Sequence, residues 1–578
     1  MIFKNRKKNY PLYETTHMRD FREAVENVAK KFPEGKALTF RKKPSDKEAV
    51  SFTYAEGRDY IRDIGTEFVA MGMRGEKVAV IGEASPYWVF SYFSLMAIGA
   101  VTVPIDKELP VADMASILNT SECRFAVVSS VIAPKVKELL VQVPTLTVLV
   151  EMGEGAIENA ISLETVRENG KARFEGGDNT YYDYEIDPDA LSSIVFTSGT
   201  TGKGKGVMLT TRNICSDMEQ GMYNFQITER TMCVLPPHHT FGSTVNFLGH
   251  YAQGCEIYIS SGLRYIMKEL EEFKPTHLIL VPLFVETFYK RILASAEKSG
   301  KLGMLRTLMM ISNGLRKVGI DLRSLLFKSV TKNFGGELSM IICGGAALNP
   351  EIISFFENMG IVILNGYGIT ECAPLISCNR NEYRKEGSVG MPIIGGHVKI
   401  IGADEETGEG EIAYKGPNVM IGYYNNPEAT AEVFDDEGYF RTGDLGRVEV
   451  DEDGNQWVYI TGRKKNLIIF SNGKNVYPEE IETDIQGVYG VGEVVVYAGE
   501  SKSNPELEVI VAEIYPDAEA LERHGITDAQ AYFDEQIKEI NKKNVSYKKV
   551  GVVKLRAEEV PKNTSRKITR FAIDKTID

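Results

Sequence analysis

Residues 194–209 read IVFTSGTTGKGKGVML, and this stretch sets the interpretation of the whole chain. A buried-strand pattern runs into a loop of hydroxyls, glycines and lysines and then returns to an apolar run, which a flexible linker would not do. Glycines let backbone N–H groups approach phosphate oxygens closely, hydroxyls donate further hydrogen bonds, and a lysine supplies charge. The sequence therefore predicts a phosphate-binding loop that uses Thr197, Ser198, Gly199, Thr200, Thr201, Gly202 and Lys205.

A second interpretation of this loop is the P-loop of nucleoside triphosphatases, because Gly199, Gly204 and Lys205 satisfy the pattern G-x-x-x-x-G-K. That motif needs Ser or Thr at the next position to hold magnesium, and this chain has Gly206. A P-loop also opens directly into a helix, whereas GVML followed by TTRN predicts a short strand and only then a helix. The P-loop interpretation is therefore disfavoured.

Short apolar runs bounded by Gly, Pro or Asp alternate with helical patterns through the first two thirds of the chain, which is typical of parallel α/β layers. Strands are predicted at 77–81, 101–105, 125–128, 145–150, 194–197, 277–282, 340–343 and 361–365, and helices at 85–98 and 349–359. From about residue 396 the pattern changes to short strands and tight turns. The predicted fold class is α/β, with a large N-terminal domain (1–464) of α/β layers, a β-rich subdomain (about 396–460), and a small α+β C-terminal domain (465–578).

The formal net charge of −14 over 578 residues, with a pI near 5.3, argues against a nucleic-acid partner. One basic stretch, residues 541–570, carries ten Lys or Arg against two acidic residues. It is interpreted either as a solvated face or as a docking site for a phosphate-rich or acidic ligand. The seven cysteines form no C-x-x-C pair, and no run approaches eighteen apolar residues. These features predict a cytoplasmic protein and leave contact with a membrane surface open.

Further motifs follow the loop in a fixed order and extend to residue 570. They are LPPHHTFG (235–242), GGAAL (344–348), NGYGITE (365–371), YFRTGDL (439–445), TGRKKN (461–466), NGKNVYPEEIE (472–482) and PKNTSRKITR (561–570). Together with the loop, this series resembles the adenylate-forming superfamily of acyl-CoA synthetases, luciferases and peptide-synthetase adenylation domains. The resemblance implies activation of a carboxylic acid by ATP to an acyl-adenylate, followed by transfer to a thiol.

The resemblance also implies roles for individual residues in binding ATP and magnesium. Thr370 would contact the α-phosphate, Glu371 and Thr200 would ligate Mg²⁺, and Asp444 would accept the ribose hydroxyls. The remaining nucleotide contacts implied by the motifs are Gly345, Ala346, Asn365, Gly366, Tyr367, Gly368 and Arg463.

Catalytic roles are implied for Thr370 and Glu371 and for two further residues. His239 would lie beside the substrate carboxylate, and Lys567 would stabilise the charge that develops during adenylation. Lys465 matches the hinge about which the small C-terminal domain moves in this family. Two positions depart from the family pattern: Gly204 replaces a proline before Lys205, and Arg566 replaces a glycine before Lys567.

Phe241, Gly242 and Ser243 stand where amino-acid-activating relatives read F-D-x-S. Without that aspartate an α-ammonium group would be buried unpaired, which is costly, so an apolar acid is favoured. The resemblance is greatest to long-chain fatty acyl-CoA synthetases and implies a fatty acid, ATP and coenzyme A as substrates. Two alternatives stay open: an acyl carrier protein as the acceptor, and a non-catalytic relative that only binds an acyl-adenylate.

Overall fold

The computed structural model describes residues 12–153, 155–197, 204–470, 475–504, 509–562 and 568–577. Its strands are β1 (Lys36–Phe40), β2 (Val50–Thr53), β3 (Lys77–Ile81), β4 (Val101–Ile105), β5 (Phe125–Val128), β6 (Val148–Glu151), β7 (Ile161–Ser162), β8 (Leu191–Thr197), β9 (Lys205–Thr210), β10 (Arg230–Cys233), β11 (Glu256–Ile259), β12 (His277–Leu280), β13 (Met340–Cys343), β14 (Val362–Gly368), β15 (Leu375–Cys378), β16 (Met391–Pro392), β17 (His397–Ile401), β18 (Gly410–Lys415), β19 (Gly422–Tyr423), β20 (Phe440–Val450), β21 (Gln456–Arg463), β22 (Ile468–Ile469), β23 (Asn475–Val476), β24 (Val491–Gly499), β25 (Val509–Pro516) and β26 (Val550–Leu555).

The α-helices are α1 (Phe21–Lys31), α2 (Tyr54–Ala70), α3 (Pro86–Ala97), α4 (Val111–Ser121), α5 (Ala133–Gln142), α6 (Leu163–Glu175), α7 (Thr180–Asp183), α8 (Thr211–Asn224), α9 (His250–Ala252), α10 (Ile266–Phe273), α11 (Pro282–Lys298), α12 (Leu302–Lys317), α13 (Arg323–Leu326), α14 (Lys328–Thr331), α15 (Pro350–Met359), α16 (Pro427–Val433), α17 (Pro478–Gln486), α18 (Ala518–Arg523) and α19 (Ala529–Lys543). A π-helix, Phe241–Gly249, leads into α9.

One compact unit draws on the described residues of Met1–Ala346, Ser354–His397 and Tyr414–Phe440. One of its sheets has the order β16-β15-β14-β13-β12-β10-β11-β1-β2, and another the order β19-β9-β8-β4-β3-β5-β6-β7. The strands of the first sheet that lie from β1 to β14 in this order are parallel. At one edge β2 pairs antiparallel with β1, and at the other β15 and β16 are also antiparallel to their neighbours. The second is parallel except for the β19-β9-β8 edge. Both sheets fit the alternation of strands and helices seen in the sequence.

Local sequence explains where the helices of this unit begin. α3 starts after Ser85, whose side chain accepts a hydrogen bond from the Trp88 backbone, and Pro86 occupies the first turn, where its missing N–H costs nothing. α8 starts with a capping box between Thr210 and Asn213. The helix predicted at 85–98 is therefore confirmed, with its two outer residues acting as the caps.

The other compact unit draws on the described residues of Ala347–Ile353, Val398–Ala413 and Arg441–Asp578. Its residues form most of a sheet ordered β17-β18-β20-β21, the β22-β23 hairpin, and the sheet β24-β25-β26. Ile481 of α17, Val494 of β24 and Phe533 of α19 share one buried cluster in this unit. The domain boundary predicted near Lys465 stays a prediction.

The α/β fold class is confirmed, while several strand limits differ from those predicted. The strand predicted at 145–150 is Val148–Glu151, because a turn from Val143 to Leu146 precedes it. The strand predicted at 277–282 ends at Leu280, because Pro282 opens α11. The strand predicted at 361–365 runs on to Gly368.

Candidate active site

β8 and β9 form an antiparallel hairpin that frames the predicted phosphate loop. Thr197 lies opposite Lys205 at its mouth, and the Thr197 hydroxyl donates to the Lys205 carbonyl at 3.4 Å. Ser198, Gly199, Thr200, Thr201 and Gly202 lie outside the described residues. Because the strand β9 separates the loop from α8, the P-loop topology, in which a helix opens at once, does not apply.

Gly204, one of the two departures from the family pattern, lies close to the backbone of this hairpin. A Cβ atom added there would lie 2.7 Å from the Thr197 carbonyl oxygen. That separation is shorter than a carbon and an oxygen tolerate, so in this conformation only glycine fits. The structure thus gives a steric reason for the departure.

Glu371 follows β14 in a short 3₁₀ turn, Thr370–Cys372. Its carboxylate accepts a hydrogen bond from the Tyr423 hydroxyl at 2.9 Å, and its carbonyl accepts one from the Met420 backbone at 2.8 Å. Burial and the neighbouring Glu371 charge raise the pKa of Tyr423, so that its hydroxyl stays protonated and donates. Glu371 is therefore held from two sides.

Tyr423 also faces the phosphate hairpin, a contact that the sequence analysis missed. The Lys205 ammonium lies 4.7 Å from the centre of the Tyr423 ring, within the range of a cation–π contact. β19 pairs with β9 so that Tyr423 lies opposite Val207. One tyrosine thus contacts two predicted site residues, Lys205 and Glu371.

The NGYG part of the NGYGITE motif lies inside β14, between β13 and β15. Tyr367 is buried, with 6% of its surface exposed. A Cβ at Gly368 would lie 2.2 Å from the Pro374 carbonyl oxygen, and one at Gly344 would lie 3.2 Å from the Gly366 carbonyl oxygen. These glycines let the GGAAL and NGYG backbones approach at the carboxyl ends of parallel strands, where open α/β sheets bind ligands. Asn365, Gly345, Ala346 and Thr370 belong to the same two segments.

His239 lies between β10 and the π-helix, and its carbonyl accepts the Gly242 and Ser243 backbone N–H groups at 2.8 Å each. The rings of His238 and His239 are in contact, tilted by 46° to each other with their centroids 4.3 Å apart. His238 Nε2 lies 3.6 Å from a carboxylate oxygen of Asp106, and burial lowers the pKa of His238. Sequence reasoning did not anticipate the contact with Asp106, because that residue follows a strand of the other large sheet.

In the other compact unit, Asp444 and Arg463 face each other across β20 and β21. Arg463 Nε lies 3.0 Å from Asp444 Oδ1, and the Asp444 side chain is 5% exposed. The structure thus joins two residues that were predicted separately as nucleotide contacts. Lys465 lies two residues beyond, and burial together with the Arg463 charge lowers its pKa.

Lys567 lies outside the described residues, but the segment that follows it is firmly attached. The Arg570 guanidinium contacts both Glu482 carboxylate oxygens at 2.7 and 2.6 Å and donates to the Val496 carbonyl at 2.9 Å. Glu482 also accepts the Val496 backbone N–H at 2.7 Å. This network ties residue 570 to α17 and β24.

The described ranges contain no group of three or more His, Cys, Asp or Glu side chains that could hold a metal ion. Mg²⁺ keeps several waters and takes one or two carboxylates together with substrate phosphates. A single oriented carboxylate such as Glu371, linked through Tyr423 to Lys205 of β9, fits that requirement. A cage made of protein groups alone would not be needed.

The parallel sheets, the glycine-bordered strand ends and the β8–β9 hairpin together form a layered α/β fold. The chain belongs to the family described as AMP-binding enzyme, whose model matches residues 25–424. It is therefore an adenylate-forming ligase.

Curated relatives are similar over most of the chain. The long-chain-fatty-acid–CoA ligase FadD15 of Mycobacterium bovis is 29% identical, over 78% of this chain and 75% of that protein. The chloroplastic long-chain-fatty-acid–[acyl-carrier-protein] ligase AEE15 of Arabidopsis thaliana is 26% identical, over 75% of this chain and 68% of that protein. Among solved structures, the anthranilate CoA ligase AuaEII in complex with anthranoyl-AMP matches with a TM-score of 0.76 and 20% identity, covering 97% of each chain. The last likeness establishes the fold.

Proposed function

We propose that this protein converts a fatty acid and ATP into acyl-AMP and pyrophosphate and then transfers the acyl group to coenzyme A. The observation that carries the proposal is the contact of Tyr423 with both Lys205 and Glu371. A cation and an oriented carboxylate are thereby held on one side chain beside the phosphate hairpin. This is the arrangement needed to bind a magnesium–triphosphate substrate.

The chemistry follows from what each side chain does. Lys205 and the loop hydroxyls bind phosphate oxygens, while Glu371 and Thr200 would hold Mg²⁺, which neutralises charge on the phosphates when bound. Asp444, kept in place by Arg463, accepts the ribose hydroxyls. His239 orients the acid, and Lys567 stabilises the charge that builds up as the carboxylate attacks the α-phosphorus.

The substrate class is supported by Gly242. A Cβ at this position would lie 2.1 Å from the Pro236 carbonyl oxygen, so no aspartate fits where amino-acid-activating relatives place one. A pocket without that carboxylate has no partner for a substrate ammonium group at this point. Together with the similarity to long-chain ligases, this favours an apolar fatty acid.

The acceptor has a second candidate, because one relative is named as a ligase for an acyl carrier protein. The basic stretch 541–570 would suit the phosphates of coenzyme A and the acidic surface of a carrier protein equally. Coenzyme A is the preferred acceptor here because the other relative, of higher identity, is named as a CoA ligase.

The test is a pyrophosphate-release assay with a panel of fatty acids and amino acids, run without an acceptor, with coenzyme A, and with a phosphopantetheinylated carrier protein. We expect release with fatty acids and acyl-CoA formation in the second arm. A best rate with an amino acid would contradict the substrate class, and thioester only on the carrier protein would contradict the acceptor. If no acid supports release, the protein is a non-catalytic binder and the proposal fails.

A further inference from the structure

The helical segment 298–332, called here the apolar-basic segment, exposes an unusual concentration of hydrophobic side chains. It contains α12, α13 and α14 and lies wholly in the first compact unit. Met310, Val318 and Leu325 are 71%, 73% and 70% exposed. Other exposed hydrophobic residues of the segment are Met304, Ile311, Ile320 and Leu322. Soluble surfaces rarely expose such clusters unless something covers them.

Exposed apolar residues run along one face of α12. Met304 and Ile311 are seven residues apart and therefore share a face of the helix, which Val318 continues at its C-terminal end. Leu305 and Ser312, the buried residues of α12, directly follow Met304 and Ile311 and so point about 100° away from them around the helix. The helix thus turns hydrophobic side chains outward as well as inward.

The charge of the apolar-basic segment indicates which kind of surface its exposed face would bind. The apolar-basic segment carries eight Lys or Arg and one acidic residue, in a chain whose net charge is −14. The acidic residue, Asp321, is paired with Arg323 at 2.6 Å. α12 itself contains no carboxylate, and Arg306 and Lys317 are exposed on it. Because charges are screened beyond about 10 Å at 0.1 M salt, a nearby surface senses this local excess rather than the net charge.

We infer that the apolar-basic segment docks this protein on an anionic lipid bilayer. Hydrophobic side chains flanked by Lys and Arg are the features that place a helix in the headgroup region of a membrane. A second copy of the chain fits less well, because a two-fold contact would bring two positive surfaces together. The contact is peripheral: none of the helices in the described ranges is long and apolar enough to cross a bilayer.

The experiment is sedimentation of the purified full chain with vesicles of phosphatidylcholine, with or without phosphatidylserine. No acid, ATP or acceptor is added, so the outcome is independent of the proposed function. We expect binding to the anionic vesicles that weakens as salt is raised. Arg306→Gln/Lys317→Gln should weaken it about 25-fold, at roughly fivefold for each charge removed near the membrane.

Met310→Glu/Ile311→Glu should weaken binding by more than about tenfold, because apolar contacts are lost and acidic charges are added. Matched controls at other exposed sites are Val141→Glu on α5 and Lys30→Gln/Lys31→Gln on α1, and both should bind like the wild type. All variants are compared by thermal unfolding, so that a folding defect is separated from a binding defect.

Met310→Trp gives an independent readout. The two native tryptophans, Trp88 and Trp457, are buried, so the tryptophan introduced by Met310→Trp would report the membrane selectively. We expect its fluorescence to be quenched by brominated lipids in anionic vesicles. The inference is overturned if the wild type does not bind anionic vesicles, or if the segment variants bind these vesicles as well as the controls do. It is equally overturned if the fluorescence of the Met310→Trp variant is not quenched. It is also overturned if the segment variants convert a wild-type dimer into monomers without changing vesicle binding.

Discussion

Tyr423 connects two charged side chains that the proposed reaction needs. Tyr423→Phe keeps the ring beneath Lys205 but removes the hydroxyl that donates to Glu371. A hydrogen bond to a charged group contributes about 1.5–3 kcal/mol, so we expect the Mg²⁺ concentration for half-maximal pyrophosphate release to rise about tenfold. Glu371→Gln, which removes the charge itself, should shift it further.

The adjacent residue offers a matched control for this prediction. Tyr424 uses its hydroxyl to accept a hydrogen bond from the Lys77 ammonium at 2.9 Å and does not contact Glu371. Tyr424→Phe should therefore leave the Mg²⁺ requirement unchanged. An equal rise in both variants would mean that the effect is general destabilisation rather than loss of the Glu371 contact.

At the scale of single residues, the sequence predicts roles for residues within motifs and misses contacts that arise between motifs. Glu371 and Lys205 were predicted because their own neighbours are distinctive. Tyr423 was not, because its two-residue strand has no periodicity and its role comes from pairing with β9. His238 and Asp106 meet only because strand ends of two different sheets converge, which local patterns do not encode.

At the scale of elements, α9 and β12 are joined by a pair of buried histidines. His250 Nε2 lies 2.8 Å from His277 Nε2, and the outer nitrogens contact the Val245 carbonyl and the Thr228 hydroxyl, each at 2.8 Å. Burial lowers the pKa of His250 to about 4 and that of His277 well below its usual value. Both rings are therefore neutral in the folded protein near pH 7.

These depressed pKa values predict acid sensitivity. In the unfolded chain both histidines are protonated as the pH falls through about 6.5, whereas in the folded chain they are protonated only at a lower pH. The neutral pair therefore contributes fully to folding stability above about pH 6.5. This contribution is lost as the pH falls toward about 4. We expect the thermal midpoint to fall between pH 7 and pH 5, and His277→Gln to reduce that slope. His397→Gln, at an exposed histidine, is the control; a slope unchanged in His277→Gln would refute the assignment.

Arg570 attaches the C-terminal segment to α17 and β24 through a fork of two nitrogens: Nη2 donates to both Glu482 carboxylate oxygens, and Nη1 donates to the Val496 carbonyl. Arg570→Lys keeps the charge but cannot form the fork, and Arg570→Ala leaves the largely buried Glu482 without its cation. We expect losses of about 1 and 2 kcal/mol respectively in the unfolding free energy of this unit. These losses of free energy would be measured by urea unfolding, with the unfolding of this unit monitored by amide hydrogen exchange in β24.

A control for Arg570 is the exposed pair Lys538 and Glu535 on α19, whose loss should change stability by less than about 0.5 kcal/mol. Because Arg570 lies three residues after Lys567, its variants should also slow adenylation. If Arg570→Ala unfolds the unit no more readily than Lys538→Ala, the fork is not a stabilising contact.

At the scale of the whole molecule, the α/β class and the order of strands and helices could be predicted, because apolar periodicity and flanking glycines and prolines are local signals. The pairing order of the sheets could not, since it depends on contacts between distant segments. The outward apolar face of α12 also departs from the rule that such residues are buried. A pattern-based prediction would have placed that face in the core.

The proposed reaction makes a whole-molecule prediction about its two steps. Adenylation requires Lys567 at the reacting carboxylate, whereas thiol attack requires that side chain to leave, which a domain hinged at Lys465 would allow. Lys567→Ala should slow acyl-AMP formation by about a hundred- to a thousand-fold, the usual cost of losing one oriented charge-stabilising contact. Thioester formation from synthetic acyl-AMP should survive in that variant.

Lys465→Pro should show the reverse pattern, because proline fixes φ at the hinge while the adenylating arrangement stays accessible. Lys465→Ala removes the same side chain without fixing the backbone and is the matched control; it should retain both steps. Each variant is measured in both half-reactions by pyrophosphate release and by thioester formation from acyl-AMP. Equal losses in both steps for Lys567→Ala and Lys465→Pro would contradict the hinge, because a shared loss is what general destabilisation of the C-terminal residues would produce.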